Sequence, residues 1–103
     1  IPIGKGFRIN HGVGLVLNEN TIIGEHVCFH QFTTVGTWKL KAATIGDNVT
    51  IGPGVNIVDD IIIGNNVVIG AGSVVVKDVP NDCVIAGNPA RIIRQLETNA
   101  HRN

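Results

Sequence analysis

The chain has 103 residues, of which 44% are apolar and only 4% aromatic, and eight basic side chains balance eight acidic ones. This length fits a single domain, and the balanced charge excludes the strongly basic surface that attracts nucleic acids or anionic membranes. No apolar run approaches the ~20 residues of a membrane span, and no charged and apolar leader precedes the first repeat. We therefore expect a cytoplasmic protein without a membrane span and without a nucleic-acid partner.

The dominant pattern is a repeat of six residues, which is clearest between Ile45 and Pro80. The segments there read IGDNVT, IGPGVN, IVDDII, IGNNVV, IGAGSV and VVKDVP. The first position is always aliphatic, the fifth is small or aliphatic, and the second is often glycine. This period fits neither an α-helix nor a long free strand, but it fits short strands separated by turns, with three segments closing a coil of roughly 18 residues. The prediction is an all-β, single-stranded parallel β-helix.

The N-terminal half keeps the same period with two interruptions. The first positions there are Ile3, Ile9 and Leu15, followed after two extra residues by Ile23, Phe29 and Val35. Four more residues separate Val35 from Ile45. Because insertions in solenoids point outward, we expect a protruding loop that contains Trp38, Lys39, Leu40 and Lys41.

The repeat ends after Val79, and a last extended piece runs from Cys83 to Ala86. We place the β-helix domain at residues 1–90 and a C-terminal cap and tail at 91–103, with a short helix over 91–97 and a frayed polar tail. Cys28 and Cys83 are far apart in sequence, which favours two packed thiols over a disulfide.

Residues at the same repeat position in successive coils lie above one another. Counting from His11 gives one such column at the third position, which continues with Gln31, Pro53 and Ala71. A histidine beside small residues suits a general base at one end of a groove for a long, thin ligand. By itself His11 also fits a corner histidine that bonds a neighbouring carbonyl, and His30 also fits a packed corner residue. His11, His26 and His30 differ in spacing from known zinc sites of this fold, so no metal site is predicted.

Two stretches carry a family resemblance that together spans nearly the whole chain. IGAGSVVVKDVPNDCVIAGNPARII resembles the end of the hexapeptide acyltransferase domain of serine acetyltransferases and sugar O-acetyltransferases. INHGVGLVLNENTIIGEHVCFHQFTTVG resembles the catalytic region of serine acetyltransferases and of related exopolysaccharide acetyltransferases. The resemblance implies a left-handed β-helix, acetyl-CoA as co-substrate, and a homotrimer.

The same resemblance implies roles for individual residues. His11 matches the general base, and Gly36 matches the glycine whose backbone approaches the acetyl group. Asn10, His30 and Gln31 are the expected acceptor-binding residues. The positions that match the binding site of acetyl-CoA are Pro53, Ala71, Val76, Lys77, Arg91 and Arg94.

Two departures leave the acceptor open. Serine acetyltransferases carry an acidic residue before the catalytic histidine, where this chain has Asn10, and a further histidine in the protruding loop, where this chain has none. The acceptor hydroxyl is therefore expected on a sugar or polysaccharide precursor or on L-serine. A non-catalytic β-helix that serves as a trimerisation scaffold is the alternative.

Overall fold

The computed structural model describes residues 1–97, and every regular element in that range is a β-strand. The strands are β1 (Arg8–Asn10), β2 (Val16–Leu17), β3 (Ile22–Ile23), β4 (Val27–His30), β5 (Thr34–Gly36), β6 (Thr44–Ile45), β7 (Val49–Ile51), β8 (Asn56–Val58), β9 (Ile62–Ile63), β10 (Val67–Ile69), β11 (Val74–Val75), β12 (Cys83–Gly87) and β13 (Ala90–Gln95). Most are only two or three residues long, as expected for a chain that turns after each short strand.

The strands form three sheets that the chain visits in turn. Sheet 1 has the order β1-β4-β7-β10-β12-β13, sheet 2 has the order β11-β8-β5-β2, and sheet 3 has the order β3-β6-β9. Pairing is parallel between equivalent strands of successive coils. The predicted all-β parallel β-helix is confirmed, and its three-sided form is consistent with the left-handed winding expected.

The core is a column of aliphatic side chains inside the coils. Val49 pairs with Val67, and Ile51 pairs with Ile69 in the next coil. All four side chains are at most 1% exposed. Burial of one such side chain stabilises the fold by roughly 1.5–3 kcal/mol, so the stacked apolar positions are the main support of the architecture.

Two register details differ from the sequence expectation. Leu17, not Leu15, pairs with Val35, and the two extra residues lie between Asn10 and Val13 rather than after Leu15. Leu15 and Leu17 both pack against the core, which made the pattern ambiguous here. In the last coil Val79 pairs with Ile63 and is therefore a first position, not a fifth.

The helix expected over 91–97 is wrong, because residues Ala90–Gln95 form β13. This strand runs antiparallel to β12, with Ala86 opposite Arg91 and Cys83 opposite Gln95. The last coil leaves a free strand edge whose backbone groups need partners, and β13 supplies them. The expected tail at 98–103 lies outside the described residues.

The corner between sheet 3 and sheet 1, here called corner 3, is filled by the chain's own polar side chains. Asp47 Oδ1 accepts a hydrogen bond from the Glu25 N–H (2.8 Å), and Asn65 Oδ1 accepts one from the Asp47 N–H (2.7 Å). A Cβ added at Gly46 would lie 2.4 Å from Asn65 Oδ1. Glycine is required here because the side chain of the next coil occupies the space above it.

Candidate functional site

The corner between sheet 1 and sheet 2, here called corner 1, comprises residues 11–15, 31–33, 52–54 and 70–72. Asn10 pairs with His30, and the Phe32 N–H donates a hydrogen bond to the Val13 carbonyl (2.9 Å), which places Val13 rather than His11 against Gln31. Backbone hydrogen bonds continue the stack, from Gly54 N–H to the Gln31 carbonyl (3.0 Å) and from Gly72 N–H to the Pro53 carbonyl (2.9 Å). The structure therefore places Gln31, Pro53 and Ala71 in one column with Val13, and the repeat count was wrong for His11, which lies in the widened turn at the end of that column.

Corner 1 is open at Gly54 and Gly72, the positions that Asn48 and Asn66 occupy at corner 3. A Cβ added at Gly72 would have no atom within 4 Å, and one added at Gly54 would meet Gly72 only at 3.9 Å. Ala71 is exposed, and Pro53 is half-buried. The corner thus leaves a shallow groove with backbone groups at its floor, which suits an extended ligand better than a compact one.

His11 lies at one end of this groove with its imidazole exposed. Its ring forms no hydrogen bond with any residue in the range 1–97, and its φ is 56°. Six other non-glycine residues in the range 1–97 share this left-handed backbone, which therefore marks a turn of the solenoid. His11 is one of the two extra residues of the first coil, so a widened turn presents this side chain.

Asn10 is held from the neighbouring coil by His30. The His30 Nδ1 donates a hydrogen bond to the Ile51 carbonyl (2.8 Å), since a carbonyl can only accept. In the neutral ring the Nε2 is then an acceptor, and it faces the Asn10 side-chain amide at 3.5 Å. His30 therefore acts on the site through Asn10. The Gln31 Oε1 is buried without a hydrogen-bond partner in the described chain, so one acceptor at this corner remains unused.

The two candidate arginines lie at the opposite edge of sheet 1. Arg91 is opposite Ala86 and Arg94 is opposite Val84, and both arginine side chains are exposed. β13 and β1 are the two edge strands of this six-stranded sheet, five strand spacings or roughly 24 Å apart. Arg91 lies level with corner 1 at the far end of the groove, because Ala86 follows the Ile85 that pairs with Ile69, and Arg94 lies further along β13 towards corner 3.

The remaining candidates, Gly36, Val76 and Lys77, lie near the corner between sheet 2 and sheet 3, here called corner 2. Gly36 lines a pocket of about 300 Å³ that Trp38 also lines. Val76 and Lys77 line a separate pocket of about 100 Å³ that also contains Ala90. Corners 1 and 2 are at opposite ends of the sheet 2 strands, so a single chain does not bring Gly36 to His11.

Packing within the chain does not require glycine at position 36. A Cβ placed there would meet nothing closer than 3.8 Å. The equivalent Gly24 and Gly52 donate their N–H groups to the next coil, at 2.8 and 2.9 Å. The position therefore offers room above its Cα, and the expected role of its N–H in oxyanion stabilisation stays a prediction.

Sequence reasoning assigned no role to Arg8 or Cys28, which share the outer face of sheet 1 with Asn10 and His30. The alternation of side chains in β1 and β4 was a sufficient signal, because residues two apart in a strand face the same side.

The Cys83 thiol is less suited to act as a nucleophile than an ordinary thiol, since burial raises its pKa and the Asp82 charge raises that pKa further. Residues 1–97 contain no cluster of three or more potential metal ligands, and no membrane-spanning helix occurs in that range.

Comparison with known proteins identifies the repeat. Residues 42–77 match the family described as bacterial transferase hexapeptide (six repeats). The chain is 50% identical over 95 residues to serine acetyltransferase 1, chloroplastic, of Arabidopsis thaliana, a match that covers 88% of this chain and 30% of that protein. The resemblance that the two sequence stretches carry is confirmed.

Solved structures agree with this result. Soybean serine acetyltransferase complexed with serine matches with a TM-score of 0.85 and 41% identity, over 89% of this chain and 40% of that one. A maltose O-acetyltransferase from Clostridium difficile 630 matches with a TM-score of 0.83 and 36% identity, over 93% of this chain and 59% of that one. The chain spans less than half the length of these two serine acetyltransferases.

Proposed function

We propose that this chain, a serine acetyltransferase-like hexapeptide-repeat protein, transfers an acetyl group from acetyl-CoA to an acceptor hydroxyl, with L-serine as the first candidate acceptor. The observation that carries the proposal is the open groove of corner 1, with the unpaired His11 imidazole at one end and Arg91 and Arg94 towards the other. The relatives named above supply the acceptor and the reaction.

His11 is the proposed general base. Its imidazole would take the proton of the acceptor hydroxyl as that oxygen attacks the thioester carbonyl. The carbon–sulfur bond then breaks, and the sulfur leaves with the proton that His11 returns. Such proton transfer contributes typically about 10²–10⁴-fold in rate. Acetyl-CoA supplies the activated acetyl group.

The groove residues fit a long anionic co-substrate. Pro53 and Ala71 present an open floor, and the exposed Arg91 and Arg94 provide guanidinium groups suited to phosphate. In the proposed arrangement these residues hold the nucleotide and pantetheine portions, and they leave the thioester end near His11.

A homotrimer would join the two halves of the site. Gly36, Val76 and Lys77 lie near corner 2, away from His11, and a symmetric neighbour is the simplest source of a second corner. Sedimentation equilibrium should give three times the mass of the chain. A monomer with full activity would contradict this part of the proposal. We also propose a cytoplasmic location, which the two unbonded cysteines fit.

A sugar hydroxyl is the second candidate acceptor. It is favoured by the neutral Asn10 beside His11 and by the similarity to the maltose O-acetyltransferase. The loop from Thr37 to Lys41 likewise offers Trp38 and no histidine. The proposed acetyl transfer does not depend on this choice.

The test is a thiol-release assay on the purified chain with acetyl-CoA and either L-serine or maltose. We expect acceptor-dependent release with L-serine. Release with maltose alone would replace the first acceptor by the second. No release with either, together with no thermal stabilisation by millimolar acetyl-CoA, would refute the transferase and favour a non-catalytic trimerisation scaffold.

A further inference from the structure

A cleft of about 340 Å³ opens on the outer face of sheet 1, beside the candidate acceptor site. Its lining consists of Gly6, Phe7, Arg8, His26, Cys28 and Thr50. No carboxylate lines this cleft, so a negative group that entered would meet no repulsion from its walls. None of the roles assigned above uses it.

Arg8 is the charged group of the cleft, and it is uncompensated. Its side chain is exposed, and it makes no ion pair or hydrogen bond with any described residue. Register places Arg8 next to Cys28 and Cys28 next to Thr50, so the guanidinium and the Thr50 hydroxyl face the same side of sheet 1. An arginine has five N–H donors in a planar fork that matches a carboxylate.

The cleft and the acceptor site share a wall. Arg8 and Asn10 lie two residues apart on β1, about 6.8 Å along the strand, and they face the same way. The Asn10 amide approaches Cys28 Sγ at 3.6 Å, and Cys28 is only 6% exposed. A molecule that touches Asn10 is therefore within reach of the long Arg8 side chain.

We propose that Arg8 binds a carboxylate of the acceptor whose hydroxyl reacts at His11. The inference rests on the proposed function and specifies the acceptor class as a hydroxylated acid. Two sources supply this chemistry, the α-carboxylate of an amino acid such as L-serine and the acid group of a uronic sugar. In either case Arg8 supplies the positive charge, and neutral Asn10 lies between that charge and the base.

The test compares acids with matched neutral acceptors. Wild-type protein and Arg8→Ala are assayed with L-serine against L-serinamide and with glucuronate against glucose. A charge-assisted hydrogen bond lost from the acid should raise its KM by about tenfold to a hundredfold in Arg8→Ala. The KM values for the neutral acceptor and for acetyl-CoA should change less than about twofold, and Arg8→Lys should recover part of the loss.

Lys5→Ala is the matched control, because Lys5 is an exposed cation three residues before the strand and outside the cleft lining. It should leave all KM values unchanged. The acid pair that shows the effect identifies the source of the carboxylate. Equal use of acid and neutral acceptor by the wild type, or an unchanged preference in Arg8→Ala, would overturn the proposal.

If the protein does not transfer acetyl groups at all, carboxylate binding by Arg8 can still be tested separately. In that case the same proteins are titrated with sodium glucuronate and with glucose, and the amide resonance of Thr50 is followed by NMR. Shifts caused by glucuronate alone and lost in Arg8→Ala would support carboxylate binding in the cleft without catalysis. Equal shifts in both proteins, or none in the wild type, would refute it.

Discussion

Corners 3 and 1 arise from the same six-residue repeat, yet one is closed and the other open. At corner 3 the side chain of Asn65 occupies the space above Gly46, and its oxygen binds the Asp47 N–H. At corner 1 the second-position Gly52 is also crowded, with the Ala71 N at 2.9 Å, but the space around the fourth-position Gly72 is empty. Where the chain fills its own corner, glycine serves stability; where it does not, the free space and backbone are available to a ligand.

The largest expected effect comes from His11 at the end of the open corner. His11→Asn should lower turnover by about two orders of magnitude or more, because the base is lost. Asparagine is the better replacement than alanine, since it tolerates the φ of 56°. The thermal unfolding midpoint should stay close to that of the wild type. Turnover unchanged in the steady-state assay would exclude His11 as the base.

Filling the open corner should remove co-substrate binding. Ala71→Trp places a large ring over the groove floor, where the side chain is exposed. We expect thermal stabilisation by acetyl-CoA to disappear. Glu25→Trp, an equally exposed change on corner 3, should retain it. Full protection of Ala71→Trp would place the groove elsewhere.

A substitution at the closed corner 3 should lower the stability of the fold rather than weaken ligand binding. Gly46→Ala forces a Cβ to within 2.4 Å of Asn65 Oδ1 and 2.7 Å of the Gly64 carbonyl oxygen. The displacement should cost about 1–3 kcal/mol in the free energy of unfolding, measured with urea. Gly36→Ala is the counterpart, because its nearest contact is 3.8 Å away, and its stability should change by less than about 1 kcal/mol. Equal destabilisation of both variants would contradict the contrast between filled and open glycine positions.

The smallest effect on stability is expected at corner 2, when the contact between Lys39 and Asp60 is removed. The Lys39 ammonium donates a hydrogen bond to Asp60 Oδ1 at 3.2 Å and holds the pKa of that carboxyl below its ordinary value. A lowered folded-state pKa stabilises the fold above the unfolded-state pKa, and this contribution is lost as the pH falls through the folded-state pKa. Because both side chains are largely exposed, Lys39→Ala should raise the pKa of Asp60 in an NMR titration with little change in unfolding. A large loss of stability would mean that the pair anchors the loop.

Much of the fold was predictable because a short repeat leaves few ways to bury its apolar positions. The aliphatic first positions predicted the interior column, and Ile51, Ile57 and Ile63 are indeed almost fully buried. The helix over 91–97 failed because a local pattern does not reveal a free strand edge elsewhere. The position of the first insertion failed because Leu15 and Leu17 offer two apolar choices.

The sequence by itself determined the repeat, the β-helix and the column of Gln31, Pro53 and Ala71, since a fixed period converts spacing along the chain into stacking in space. Only the tertiary structure decided which corner stays open, because that depends on whether side chains of the next coil occupy the space. It also separated Gly36 and Lys77 from His11, and it placed Arg8 in line with Cys28 and Thr50. These relations join residues from different coils and corners, and they exist only once the coils are closed.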